Sequence, residues 1–233
     1  KAATETRSAG GELRRLAIIV AVFASLWAIP VIAVVQILGA QPFADVARLF
    51  TTAAFVTFGG AYAVLPYIAE AGVNTYSWLT PGEMINGLAL AETTPGPLIL
   101  VTTYVGYFGG WNGGAAGLSP AAAGLMAALL TTYVTFLPSF MFIIAGAPYI
   151  ERLQALAWAK SALEAITAAV VGVILNLTVF LAKAVLIPGG GAVDWTAVAA
   201  GAVAFALLAS GRISVPWLVV IGAAFGLARV MVF

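Results

Sequence analysis

Apolar residues run through this chain in long, nearly unbroken stretches, without the alternation expected of surfaces that are half buried and half wet. Leu13 to Leu38 is the first, long enough to cross a hydrocarbon core that takes about 20 helical residues, and Pro30 is predicted to kink it. Pro42 opens a shorter run, Phe43 to about Thr57, which Gly59-Gly60 interrupts before Ala61 to Ala69. A polar connection, Glu70 to Glu83 with Trp78 and Pro81, leads into Pro81 to Glu92 and a second interruption at Thr94-Pro95-Gly96-Pro97. Pro97 to about Phe108 follows, and Gly109 to Ser119 reads as a loop. Pro120 to Ala145 is a long span with Pro138 inside it, Glu151 to Lys160 is short and amphipathic, and Ser161 to Leu186 is another span. A turn at Pro188-Gly189-Gly190-Gly191 precedes two shorter spans, Trp195 to Leu208 and Ser214 to Phe233, separated by Gly211 and Arg212. The pattern predicts an all-α polytopic membrane helical bundle with two broken helices, each either crossing the membrane or turning back as a re-entrant hairpin. Residues 1–233 read as one transmembrane domain, of which 1–12 form a polar N-terminal segment.

The second interruption is where chemistry concentrates. Pro95 removes a backbone donor and its ring clashes with the preceding turn, so the first half-helix should end near Glu92 or Thr93. Pro97 suits the first position of a new helix. The N–H groups of Leu98, Ile99 and Leu100, with the Thr93 and Thr94 hydroxyls, then form a donor-rich helix start whose dipole favours an anion. Non-helical backbone at membrane depth is tolerated only where protein or a wet cavity surrounds it, which makes Gly96 and its neighbours a binding-site candidate. Gly59 and Gly60 join them, because paired discontinuous helices form substrate sites in secondary transporters; alone, the pair serves equally well for close helix packing. Glu92 is the strongest candidate for coupling, since burial favours the protonated form of a carboxylate and allows exchange near neutral pH. Its bland alternative is a protonated Glu that caps free backbone groups, with Asn86 as a polar neighbour. Arg48, one turn into the second element, is an anion-site candidate or a snorkelling cation, and Lys183 an interfacial anchor.

Composition narrows the classes. The 233 residues are 63% hydrophobic and 8% charged with a mean hydropathy of +1.07, which excludes an ordinary soluble domain. A net charge of +1 leaves no basic face for nucleic acid. With no Cys and no His, disulfides, thiol chemistry and most zinc sites are excluded, and no metal or cofactor is expected. No Gly-Lys-Ser/Thr phosphate loop or Ser/His arrangement occurs, so an enzyme or an ATP-driven pump is not encoded here. Arg7, Arg14 and Arg15 precede the first span, placing the N-terminus in the cytoplasm, and the loops with Arg152, Lys160 and Arg212 come out on the same side. Trp78, Trp111, Trp158, Trp195 and Trp217 fall near predicted ends, as interfacial anchors do, and only Trp27 sits mid-span. The chain starts at Lys1 with no cleavable-signal layout, consistent with a fragment or a processed chain.

Phe58-Gly59-Gly60 followed by Pro66, and Glu92-Thr93-Thr94-Pro95-Gly96-Pro97-Leu98, resemble the chromate ion transporter (CHR, ChrA) family. Long members consist of two homologous halves, each with an early Phe-Gly-Gly and a later Pro-Gly-Pro; this chain resembles the second half, where an acidic residue precedes Thr-Pro-Gly-Pro. The resemblance is best over Phe50 to Gly110. It implies export of chromate, or of a sulfate-like tetrahedral oxyanion, across the inner (cytoplasmic) membrane of bacteria or archaea, with chromate resistance as the outcome. It also implies a homodimer or a partner half-domain, since only one half is present. The rival readings are a cation/proton exchanger using Glu92, and a non-transporting membrane scaffold subunit.

Overall fold

The computed structural model of the chain describes residues 9–39, 41–56, 61–93, 98–115, 117–150, 156–187 and 191–232. Among these residues the regular elements are all helical: α1 (Ala9–Leu38), α2 (Phe43–Val56), α3 (Ala61–Glu70), α4 (Pro81–Thr93), α5 (Val101–Gly113), α6 (Pro120–Gly146), α7 (Ala157–Leu186), α8 (Trp195–Ala209) and α9 (Val215–Val232). A π-helical turn, Ala71–Thr75, extends α3, and a 3-10 turn, Leu98–Leu100, opens α5. Three stretches are long and apolar enough to span a membrane, Gly10–Leu38, Pro120–Tyr149 and Ala157–Leu186, with mean hydropathies of 2.8, 1.8 and 2.3. The chain is a multi-pass helical membrane protein, as its pattern of apolar runs predicts.

Helix starts follow local chemistry. At α4, Pro81 takes the first helical position, and Thr80 and Glu83 cap each other's backbone: the Thr80 N–H donates to Glu83 Oε2 at 2.7 Å and the Glu83 N–H to Thr80 Oγ1 at 3.2 Å. Ser119 caps α6 ahead of Pro120, and Asp194 caps α8 by accepting from the Thr196 and Ala197 N–H groups at 3.0 Å each. α1 is described from Ala9, with Glu12 in its first described turn. Pro30 and Pro138 lie inside α1 and α6, which are each assigned as one helix through them.

Two of the sequence expectations change. Residues 109–113, expected in a loop, extend α5 by more than a turn. The reason is packing: Gly109 lies beneath the Trp78 indole, and Gly110 lies so close to α6 that a Cβ would overlap the Ala123 carbonyl. Trp78, expected as an interfacial anchor, is only 5% exposed, stacked on Tyr76 at 4.5 Å, and its carbonyl accepts from Asn112 Nδ2 at 2.6 Å. Trp158, Trp195 and Trp217 do face outward. Of the segment 151–160, residues 151–155 lie outside the described residues, and Ala157 to Lys160 form the first turn of α7.

The core is built on α5 and α6, which run antiparallel. Gly106 lies against Thr131, Gly110 against Ala123 and Ala127, Gly124 against the Tyr107 ring, and the Thr103 and Thr132 hydroxyls share a hydrogen bond at 2.8 Å. Gly106 and Gly110 stand four residues apart on one face, the small-xxx-small spacing that lets backbones approach in lipid. α2 packs against this pair, contributing Phe43, Val46 and Phe50, and α3, contributing Leu65 and Ile68, packs against α2 and α7. α1 runs antiparallel to α6, joined by Tyr133 OH donating to the Leu26 carbonyl at 2.6 Å and by Arg15 donating to the Ile144 carbonyl at 3.4 Å. α7 covers α3 and α4, and α8 packs on α7.

Gly110→Ala should therefore lower stability by about 1–3 kcal/mol, the usual cost of overpacking. Gly201→Ala on α8, where a Cβ would meet nothing within 4 Å, should be neutral or slightly stabilising. Thermal unfolding of both variants in detergent, followed by circular dichroism, makes the comparison.

Candidate functional site

α4 and α5 form a hairpin that leaves at the end where it entered. Gly87 on α4 faces the Tyr104 ring on α5 so closely that a Cβ would overlap it. Near the open end, Trp78 meets both Gly109 and Asn112. The two arms are therefore antiparallel, with residues 78–81 beside residues 109–113. Each arm has 13 helical residues, roughly 20 Å of rise, short of a hydrocarbon core about 30 Å thick.

α2 and α3 are arranged in the same way and open toward the same end. Gly113 packs on Pro42 at the start of α2, while Gly72, just after α3, packs on Val105 and Leu79. Tyr76, between α3 and α4, lies in the electrostatic reach of Asp45 near the start of α2; burial first, and then that carboxylate, push its phenol above the usual range, with Arg48 opposing. Both interrupted elements thus enter from one end of the bundle and return to it, which decides between crossing and turning back.

Of the expected site residues, Glu92, Thr93, Leu98 and Ile99 are described near the tip of the second hairpin. Glu92 and Thr93 are the last two described residues of α4. Leu98 and Ile99 are in the 3-10 turn, which packs against α3 as well as α4 and α5, so the start of the α5 arm meets the first hairpin. The Ile99 carbonyl accepts from Thr102 Oγ1 at 2.7 Å. Gly59, Gly60, Thr94 and Gly96 lie outside the described residues. Arg48 is elsewhere: it is exposed and lines a cleft between α1 and α2 that none of residues 98–100 lines. Asn86, considered a neighbour of Glu92, is exposed on α4. Among the described residues there is no cluster of His, Cys, Asp or Glu able to hold a metal ion.

Several positions near the site were not singled out from sequence. Thr102, Thr131 and Thr135 are buried, and among the described residues the hydroxyls of Thr131 and Thr135 have no hydrogen-bond partner. The Gly106-to-Gly110 spacing was the available signal for the seam, while the hydroxyls carried none, because isolated Thr residues in an apolar helix commonly bond their own backbone.

Residues 44–227 match the chromate transporter family. The chain belongs to that family. It is similar to a chromate transport protein of Pseudomonas aeruginosa, 33% identical over 173 residues, which are 72% of this chain and 37% of that protein. A chromate transport protein of Cupriavidus metallidurans is 29% identical over 134 residues, 58% of this chain and 30% of the relative. The uncharacterized transporter YwrA of Bacillus subtilis is 44% identical over 66 residues, 28% of this chain and 37% of that protein. The matched stretches thus cover between 30% and 37% of the length of these relatives. No solved structure matches the chain.

The hairpin arrangement has a direct test, because the chain has no native cysteine. Cysteines placed singly at the exposed positions Thr75 and Ala121 should react with an impermeant maleimide from one face of the membrane, and one at Lys160 from the other. Labelling of Thr75→Cys and Ala121→Cys from opposite faces would mean that α4 and α5 together form one crossing.

Proposed function

We propose that the chain is one half of a secondary transporter that exports chromate, or a tetrahedral oxyanion of the same shape, across the cytoplasmic membrane. The observation that carries this reading is the pair of hairpins opening to one end, in a chain of the chromate transporter family. Half-helices that stop short of the far side serve no packing purpose that continuous helices would not serve better, whereas paired broken helices are how secondary transporters present backbone groups to substrate. In the cradle, the N–H groups of Leu98 and Ile99 and the hydroxyls of Thr93 and Thr94 donate to the anion, with Gly59, Gly60 and Gly96 allowing close backbone approach. Glu92 is the coupling group: beside a dianion and at a helix C-terminus it is neutral when substrate is bound, and releases its proton when substrate leaves.

The N-terminus is cytoplasmic in this reading. The end of the bundle shared by the start of α1, the end of α6 and the start of α7 carries Arg14, Arg15 and Lys160, and α8 leads back to it at Arg212. The opposite end carries Asp45, Glu70, Glu83 and Asp194 with Arg48, Lys183 and Arg229. The positive-inside rule favours the first end as cytoplasmic, so the hairpins enter from outside. With the hairpins returning, and the shorter apolar helices α8 and α9 taken as crossings beside α1, α6 and α7, this reading has an odd number of crossings. A homologous half fused behind this one would then be inverted and bring its hairpins from the cytoplasmic face, as inverted repeats do. Asn86 and Leu90 are exposed on α4 within the hairpin, a mixed surface better suited to a partner half than to lipid.

The test is chromate transport in vesicles, with the partner half supplied, at several pH values from about 5 to 8. Glu92→Gln mimics the neutral form, so it should keep chromate binding within about threefold, on the order of 0.7 kcal/mol, while transport stops or loses its pH dependence. Parental rate with the parental pH profile would leave Glu92 as a cap only. Transport by the isolated monomer at the full rate would overturn the half-transporter reading.

A further inference from the structure

Arg48 stands at the wet end of a cleft whose depth is apolar. The cleft, about 440 Å³, lies between α1 and α2; Gln36 and Arg48 line it on the side of the α1–α2 connection, Val31, Ile32 and Val35 line its length, and Trp27, Thr51 and Thr52 lie at its deep end. Gln36 is two residues from the end of α1 and Arg48 is one turn into α2, so the polar groups lie near the membrane surface. Trp27 is nine residues deeper on α1, roughly 13 Å, close to the thickness of one hydrocarbon leaflet. There its Nε1 donates to Thr51 Oγ1 at 2.8 Å, and both residues also line a second, wholly apolar cleft of about 370 Å³ that continues past Phe55 toward α6. Asp45, one turn before Arg48, lines neither cleft.

We infer that this cleft binds one anionic phospholipid, its phosphate held by Arg48 with Gln36, and an acyl chain lying along α1 to Trp27. A soluble oxyanion would gain the cation but would leave the apolar length of the cleft unfilled. A zwitterionic lipid would fill the cleft but bring an ammonium group to the guanidinium. An anionic phospholipid satisfies both, with the guanidinium donating to phosphate in a paired geometry and the apolar walls covering methylenes. The bound lipid would seal the joint between α1 and α2, the arm that leads into the first hairpin, without itself being transported. This inference rests on the cleft alone and stands or falls separately from the transport reading.

The experiment is native mass spectrometry of the purified full chain in detergent, titrated with phosphatidylglycerol or with phosphatidylcholine of the same acyl chains. The parent should retain one phosphatidylglycerol about tenfold more tightly than phosphatidylcholine, equivalent to about 1.4 kcal/mol. Arg48→Gln should abolish that preference and Arg48→Lys should keep most of it. Ile32→Phe, which adds bulk at an exposed edge of the cleft while leaving Arg48 intact, should weaken both lipids by a similar factor. Millimolar sulfate should not displace the bound lipid. Unchanged phosphatidylglycerol retention in Arg48→Gln and in Ile32→Phe, or its displacement by sulfate, would overturn the inference; displacement would make Arg48 part of a soluble-anion site.

Discussion

Backbone at membrane depth has no water to bond with, so each N–H and C=O must find a partner inside the protein. A helix that ended within the hydrocarbon region would leave its terminal groups in need of such partners. Two hairpins of this kind are possible only because other helices enclose them. The α5–α6 seam supplies most of that enclosure: Gly106 and Gly110 bring α5 against α6 at backbone distance, and α6, long enough to cross, holds the shorter α5 in place. Lipid offers no hydrophobic drive for helices to associate, so close contact and shared hydrogen bonds, such as Thr103 with Thr132, must do so instead.

The same constraint orders the open end of the hairpins. Trp78 is covered by Gly109, stacked on Tyr76 and tied through its carbonyl to Asn112, so the entry to α4 and the exit of α5 are held together. Gly72 and Gly113 add the matching contacts for the first hairpin. The open ends are fastened by side chains.

Charge is scarce in the chain, and its placement follows the architecture. Arg14, Arg15 and Lys160 gather at the end where the full-length helices α1, α6 and α7 meet. Arg48 and the acidic residues Asp45, Glu70 and Glu83 gather where the hairpins open. Glu92 is set apart from both groups, in the last turn of α4, and that separation from solvated charge is what makes it a candidate for proton exchange.

Much of this was legible in the sequence. Apolar run length marks the long helices α1, α6 and α7, because crossing hydrocarbon imposes a minimum that no other local property mimics. Proline and glycine mark the interruptions between Val56 and Ala61 and between Thr93 and Leu98, because their backbone restrictions act locally. The family, too, was carried by those two short motifs. What only the tertiary structure decided is which way the second arm of each broken element runs, since a helix restarting after Pro95-Gly96-Pro97 has the same local sequence whether it continues across or turns back. Gly87 against Tyr104 and Trp78 against Asn112 settle that direction, through contacts between residues 17 and 34 positions apart. The loop expected at Gly109–Gly110 failed for the same reason. Glycine there answers to the helix and indole packed over it, and close approach is a property of the pair of surfaces that no single stretch of chain contains.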